Sequence, residues 1–216
     1  MNMRMEDLAF ISDLCRNYGF EQDLKFNYVE AIKPFVSEYC ESGKFKETEQ
    51  AVTIAAKLTI AVASVNKYAE SEPELWSSLV EMLNWSLNEQ VGDSKLISMG
   101  TYEFVGLVLC LSRRRENNAQ LWGHLAKVLV TLMNTKKLGL SDLLLVTRAF
   151  CNAKIRSDKL YGFIIRYFAS LGFSERAQVS IDANVPIFFF FSLAKAYPTL
   201  NDSEDFFNVI NSYLQA

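Results

Sequence analysis

The sequence LLLVTRAFCNAKIRSDKLY, residues 143–161, contains the pattern from which the architecture of this 216-residue chain can be predicted. Its apolar residues recur at the three- and four-residue spacing of one helix face, and a short charged turn follows them. Ser157-Asp158 then marks a new helix start, because a serine oxygen can accept a free amide of the first helical turn. The segment therefore predicts two antiparallel helices, 141–153 and 158–170, joined by a tight turn.

The same helical spacing continues in both directions along the chain. It predicts five antiparallel helix pairs: 6–17 with 21–38, 47–68 with 72–87, 101–113 with 118–134, 141–153 with 158–170, and 186–197 with 203–214. Pro34 is expected to kink or split its helix, because proline lacks the amide hydrogen that the helix interior needs. No linker rich in Pro, Gly or Ser interrupts the pattern, so residues 1–216 are predicted to form a single helical-repeat domain.

Composition supports an all-α protein. Half of the residues (50%) are hydrophobic and 22% are charged, which excludes a disordered chain. Gly and Pro number only 9 and 4, which favours long helices over an all-β fold with many turns. The formal net charge is −3, whereas dedicated nucleic-acid-binding domains are usually basic. The chain as a whole is therefore not expected to bind phosphates strongly.

Apolar–aromatic pairs open the second helix of four predicted hairpins. They are Leu75-Trp76, Leu121-Trp122, Leu160-Tyr161 and Phe206-Phe207, and Phe26 fits the same position more loosely. Their spacing is close to the roughly 34–47 residues of helical-hairpin repeats. Because one hairpin cannot bury its apolar faces alone, we predict an α-solenoid of about five stacked helical hairpins. The aromatic residues are expected to fill its core rather than to stack on bases.

Residues 143–161 resemble the helical repeat of the octotricopeptide, heptatricopeptide and FAST-kinase-like organellar proteins. The shared pattern is a leucine pair, an Ala-Phe-Ala-Lys-like stretch, a short charged turn and an apolar–aromatic pair. Residues 190–197, continuing to 205–207, are similar to it again. The resemblance implies a mitochondrial or plastid protein that works in RNA processing, RNA editing or an organellar ribosome. Such proteins often end in a RAP domain, whereas this sequence ends in a predicted helix, so we expect neither a RAP domain nor a nuclease-like role.

Basic residues gather where the predicted first helices end. They are Lys67, the triplet Arg113-Arg114-Arg115, and Lys154 with Arg156. In a stacked array, equivalent turns are expected along one edge, where arginine side chains can fork onto phosphate or carboxylate oxygens. These six residues are therefore candidate RNA- or partner-binding residues.

An alternative role for these cations is to complement the dipoles of the helices that they follow. The triplet favours binding, because helix-end complementation needs one cation and three adjacent cations repel one another. Arg148 and Lys195, on the first helices of successive pairs, form a second candidate set that lines either a groove or a solvated face.

The sequence carries no recognisable catalytic or cofactor-binding constellation. His124 is the only histidine, and its local sequence supplies neither an orienting carboxylate nor a nucleophile. Neither a Walker A motif nor a G-x-G-x-x-G motif occurs. The cysteines match no zinc-site spacing and are expected to be small buried hydrophobes: Cys15, Cys40, Cys110 and Cys151. We therefore expect a protein that is not an enzyme, with no cofactor and no metal site.

These features together predict a non-catalytic scaffold or RNA-contacting subunit of a mitochondrial ribonucleoprotein assembly. Its expected partners are other protein subunits and single-stranded or ribosomal RNA. Two alternatives remain open, a cytosolic HEAT-like adaptor that binds only protein and an architectural subunit of a large membrane-associated complex.

Targeting and membrane patterns are weak in this sequence. The longest apolar runs, 104–111 and 185–191, are too short to span a bilayer, so no membrane insertion is expected. Residues 1–10 lack the features of a signal or transit peptide. A mitochondrial location therefore implies import without a cleaved presequence, or a presequence outside this chain; otherwise the chain is expected in the cytoplasm.

Overall fold

The predicted all-α fold class is confirmed by a computed structural model. The structure describes residues 6–7, 9–11, 22–47, 50–64, 73–92, 99–171, 184–197 and 204–214. These ranges contain helices and the turns that join them, and no strand occurs within them.

The helices in the described ranges follow one another in a simple order. They are α1 (Gln22–Glu41), a 3-10 helix (Lys44–Glu47), α2 (Ala51–Ala63), α3 (Pro73–Gly92), α4 (Thr101–Arg113), α5 (Ala119–Asn134), α6 (Leu140–Asn152), α7 (Asp158–Ser170), α8 (Asn184–Ala196) and α9 (Glu204–Leu214). Residues 6–7 and 9–11 are also helical. The chain divides into two compact units, 1–128 and 129–216, and α5 crosses the boundary between them.

In the first unit, α2 is the central element. It packs against α3 and α4, and α1 packs against α3. Ten of the 13 residues of α2 are buried, which is expected of a helix that is apolar on every face. Ala55 and Ala56 are fully buried, and their small side chains allow neighbouring backbones to approach. Phe45 of the 3-10 helix is also buried, with its ring edge-to-face on Trp85 at a centroid distance of 5.2 Å.

In the second unit, α6 packs against α8, and α7 packs against α9. The core between these helices is aromatic. Phe168 lies 4.8 Å from Phe189 between ring centroids, and Phe190 lies 5.5 Å from Tyr213. Tilted and edge-to-face pairs of this kind stabilise a core beyond the area that they bury. All four side chains are buried.

Several local predictions need correction. Helix α1 runs unbroken through Pro34, so the predicted split is wrong; the proline side chain is exposed there and displaces no core residue. Helix α6 starts after Gly139 rather than at Ser141. The 3-10 helix has only four residues, which is too short for a helical repeat of apolar residues to show, so the sequence pattern does not predict it. Most of the predicted helix 6–17 lies outside the described residues.

Candidate functional site

The turn between α4 and α5 is closed by two backbone hydrogen bonds. The Arg115 amide donates to the Ser112 carbonyl at 3.1 Å, and the Glu116 amide donates to the Leu111 carbonyl at 3.0 Å. This is the Schellman arrangement, which requires a left-handed residue directly after the helix. Arg115 supplies it with a φ of 55°. A side chain in this conformation costs roughly 1–2 kcal/mol, so glycine is the usual residue here.

The turn between α6 and α7 has the same hydrogen bonds. The Lys154 amide donates to the Cys151 carbonyl at 3.0 Å, and the Ile155 amide donates to the Phe150 carbonyl at 3.2 Å. Lys154 has a φ of 58°. A cation therefore occupies the left-handed position of both turns, where the backbone alone would favour glycine.

Both turns also lead into the next helix in the same way. Asn118 Oδ1 accepts the Leu121 amide at 3.0 Å, and Ser157 Oγ accepts the Leu160 amide at 3.3 Å. Each side chain satisfies one of the amides that lack a partner in the first turn of a helix. The prediction that Ser157 starts a helix is confirmed.

A buried aromatic residue fixes each turn from inside. The Trp122 indole N–H donates to the Glu116 carbonyl at 2.9 Å, and the Tyr161 hydroxyl donates to the Ile155 carbonyl at 2.8 Å. Both side chains are fully buried, as predicted for the aromatic residues that open the second helices. Phe207 differs from this prediction, because it is 52% exposed.

The two hairpins are copies with an offset of 39 positions. This offset relates the left-handed residues, the capping residues and the aromatic donors of the two turns. It also relates Gly100 to Gly139, each the N-cap residue of a 13-residue first helix. The sequence signal for this regular repeat is Leu-Trp-Gly at 121–123 and Leu-Tyr-Gly at 160–162. The looser spacing of the other aromatic pairs hides it.

The predicted site residues divide into three groups. Arg113 and Arg115 of the first turn and Lys154 and Arg156 of the second turn are exposed. Lys67 lies outside the described residues. Arg114 is the exception, because it is half-buried and serves the fold.

Arg114 joins three helices of the first unit. Its guanidinium Nη2 donates to the Val62 carbonyl at 3.1 Å, in the last turn of α2 where carbonyls lack helical partners. The guanidinium also lies over the Trp76 ring of α3, with 5.2 Å from Cζ to the ring centroid. Burial lowers the pKa of Arg114, although the neighbouring Cys110 opposes that effect. The central arginine of the triplet is therefore a structural residue.

Glu116 completes this arrangement. One carboxylate oxygen accepts the indole N–H of Trp76 at 2.8 Å, and the other accepts the amides of Asn117 and Asn118 at 2.9 Å. The only carboxylate in the turn is therefore fully used by groups of the first unit. The exposed charged side chains that remain at this turn are those of Arg113 and Arg115.

Two of the described cysteine thiols, those of Cys40 and Cys151, have raised pKa values. Burial, followed by the charges of Glu81 and Glu41, raises the pKa of the Cys40 thiol to about 11. Burial raises the pKa of the Cys151 thiol to about 12. Thiols with such pKa values stay protonated and are poor nucleophiles at neutral pH.

His124 is a buried residue of α5. It is 6% exposed, and neither ring nitrogen has a hydrogen-bond partner. Burial and then the charge of Lys127 lower its pKa. A buried imidazole without a hydrogen-bond partner has no orienting group of the kind that a general base needs.

In the part of the chain that the structure describes, no three His, Cys, Asp or Glu side chains come together as a possible metal site. None of the described helices is both long enough and apolar enough to cross a membrane. Comparison of the chain with protein-family models, curated protein sequences and solved structures finds no match. The resemblance to organellar repeat proteins therefore stays a prediction.

Proposed function

We propose that this chain is a non-catalytic helical-repeat scaffold that contacts RNA within a mitochondrial ribonucleoprotein assembly. The observation that supports this proposal most directly is the shared turn of the two hairpins. In each turn one cation occupies a left-handed position, and a second exposed arginine lies within two residues of it. The mitochondrial location rests on the resemblance, and imaging of the tagged full-length protein against a matrix marker tests it.

We further propose that the helix pairs stack as an α-solenoid. In the first unit, the first helices α2 and α4 pack together, as do the second helices α1 and α3. In the second unit, the first helices α6 and α8 pack together, as do the second helices α7 and α9. Contacts of first helix with first helix and of second with second are what successive stacked hairpins require.

The expected chemistry is weak, salt-dependent contact with phosphates. Arginine and lysine side chains in the two turns can each neutralise one phosphate, and the net charge of −3 limits any further attraction. With two phosphate contacts per turn, the affinity of one turn for a single strand is expected to fall about sevenfold between 50 and 200 mM salt. Protein partners then supply most of the stability of the assembly.

The test is fluorescence anisotropy with a labelled single-stranded RNA of about 15 nucleotides at both salt concentrations. The test variants are R113A/R115G and K154G/R156A. Glycine at positions 115 and 154 removes the charge and also relieves the strain of a left-handed backbone that carries a side chain. The control variant is K127A/R166A, because Lys127 and Arg166 are both exposed on helices outside the turns. All three variants lose two positive charges.

We expect each test variant to bind several-fold more weakly and with a shallower salt dependence, while the control binds like the wild type. The test variants should also unfold at urea concentrations no lower than the wild type, because they lose only exposed side chains. Equal weakening by the control would refute the assignment to these turns. Absence of binding at tens of micromolar in 50 mM salt would refute RNA contact and favour the protein-binding adaptor.

A further inference from the structure

Helices α6 and α8 of the second unit expose large apolar side chains. Leu145 on α6 is 47% exposed, and Phe191 on α8 is 67% exposed. The exposed residues of α6 form one narrow stripe at helical spacing: Ser141, Leu145, Arg148 and Asn152. Among the α8 side chains that the structure describes, only Phe191 and Lys195 are exposed, and they lie one turn apart. Each helix therefore has a single exposed stripe with an apolar centre.

Helices α6 and α8 pack directly against each other, and each carries one exposed stripe among its described side chains. We call these four residues, Leu145, Arg148, Phe191 and Lys195, the α6–α8 surface. The charges exposed on it are both positive, whereas the whole chain carries −3. On each helix an exposed apolar side chain thus stands one turn from a cation, Leu145 with Arg148 and Phe191 with Lys195, a pairing that suits an acidic, partly apolar partner.

We propose that the α6–α8 surface binds an acidic amphipathic helix of a partner protein. Leu145 and Phe191 would contact the apolar side chains of such a helix, which recur three and four residues apart along one face. Arg148 and Lys195 pair with carboxylates at its edge and disfavour a basic partner. An aliphatic leucine offers no stacking face for a base, so the pair of anchors fits a peptide better than RNA.

This surface shares no residue with the two turns of the proposed function, so the two proposals can fail separately. The turn variants R113A/R115G and K154G/R156A keep all four residues of the α6–α8 surface. They are expected to bind the acidic helix as the wild type does.

The test uses three fluorescent probes with the full chain at low salt. The first is a helical peptide of about 16 residues built from Leu, Ala and Glu, with leucines three and four positions apart. The second has Lys in place of every Glu, and the third is a single-stranded oligouridine. We expect the acidic peptide to bind at least about tenfold more tightly than the basic one, and F191A to weaken its binding about tenfold. The charge reversal R148E/K195E should make the basic peptide the tighter ligand.

The matched control is F207A, which removes an exposed phenylalanine of the same unit beside Glu204 rather than beside cations. It should leave peptide binding unchanged, and circular dichroism should show native helicity for every variant. Equal affinity for both peptides, no response to the charge reversal, or a loss with F207A equal to that with F191A would overturn the proposal. Oligouridine bound in place of the peptide, or self-association abolished by F191A, would assign the surface to RNA or to a second copy and equally overturn it.

Discussion

Arg114 provides the sharpest test of how the arginine triplet is used. Replacement by alanine removes a charge-assisted hydrogen bond to the Val62 carbonyl and the contact with the Trp76 ring. A hydrogen bond to a charged group contributes about 1.5–3 kcal/mol, and a half-desolvated cation–π contact contributes about 1 kcal/mol. Because the guanidinium is only half-buried, we take the lower part of these ranges and expect R114A to lower the free energy of unfolding by about 2–3 kcal/mol.

The neighbouring arginines serve as matched controls for this prediction. Arg113 and Arg115 carry the same charge and are exposed. R113A should change the free energy of unfolding by less than about 0.5 kcal/mol, as expected for a surface substitution. R114K keeps the charge but loses the planar group that lies over the indole, so its effect should fall between those of R114A and wild type.

Urea unfolding followed by tryptophan fluorescence is the appropriate assay. All three tryptophans, Trp76, Trp85 and Trp122, lie in residues 1–128, so their emission reports on the unit that contains Arg114. A double-mutant cycle of R114A with W76L measures the coupling between the two side chains, because leucine has no ring for the guanidinium to lie over. A loss below about 0.5 kcal/mol for R114A, or a loss for R113A as large as that for R114A, would refute the structural role of Arg114.

Two further predictions concern buried polar side chains. The pKa of His124 is lower in the folded chain than its ordinary value of 6.5. As the pH drops below about 6.5, His124 is therefore protonated more in the unfolded chain than in the folded chain, and the free energy of unfolding decreases. H124F should flatten the fluorescence-monitored dependence of stability on pH between pH 5 and 7, because phenylalanine does not titrate. Phenylalanine is chosen because Phe163 occupies the equivalent position 39 residues later. A variant that keeps the wild-type slope would contradict this prediction. Y161F should lose about 1–2 kcal/mol in urea unfolding followed by circular dichroism, because the Ile155 carbonyl loses its donor. An unchanged midpoint would show that this hydrogen bond is dispensable.

Much of the fold could be predicted from local sequence. The helical periodicity gives the all-α class, and Ser157 gives the start of α7 to the residue, because an N-cap depends only on a short segment. The inward orientation of Arg114 also has a local signal, since Phe104, Leu107 and Leu111 follow one buried stripe that continues at position 114. Its partners Val62 and Trp76 come from distant segments, and no pattern within the triplet could identify them.

The regular copy of the two hairpins was harder to predict for a physical reason. A Schellman turn normally contains glycine at its left-handed position, and glycine is what a sequence search for such turns looks for. Arg115 and Lys154 stand there instead, so the turns resemble ordinary charged loops in sequence. The two hairpins become equivalent only when hydrogen bonds, caps and aromatic donors are compared position by position.

The proposed binding by the two turns rests on a left-handed cation that has an exposed arginine two residues away from it. A positive charge after a helix gains about 0.3–1 kcal/mol from the dipole, which at most offsets the roughly 1–2 kcal/mol that a left-handed side chain costs. Glycine would therefore serve the fold equally well or better at positions 115 and 154. Lys136, after α5, has the same left-handed conformation without an arginine beside it, so we attribute the proposed binding to the combination with Arg113 and Arg156. Arg114 differs from the candidate binding residues Arg113 and Arg115 on either side of it, because its guanidinium already has partners within the fold.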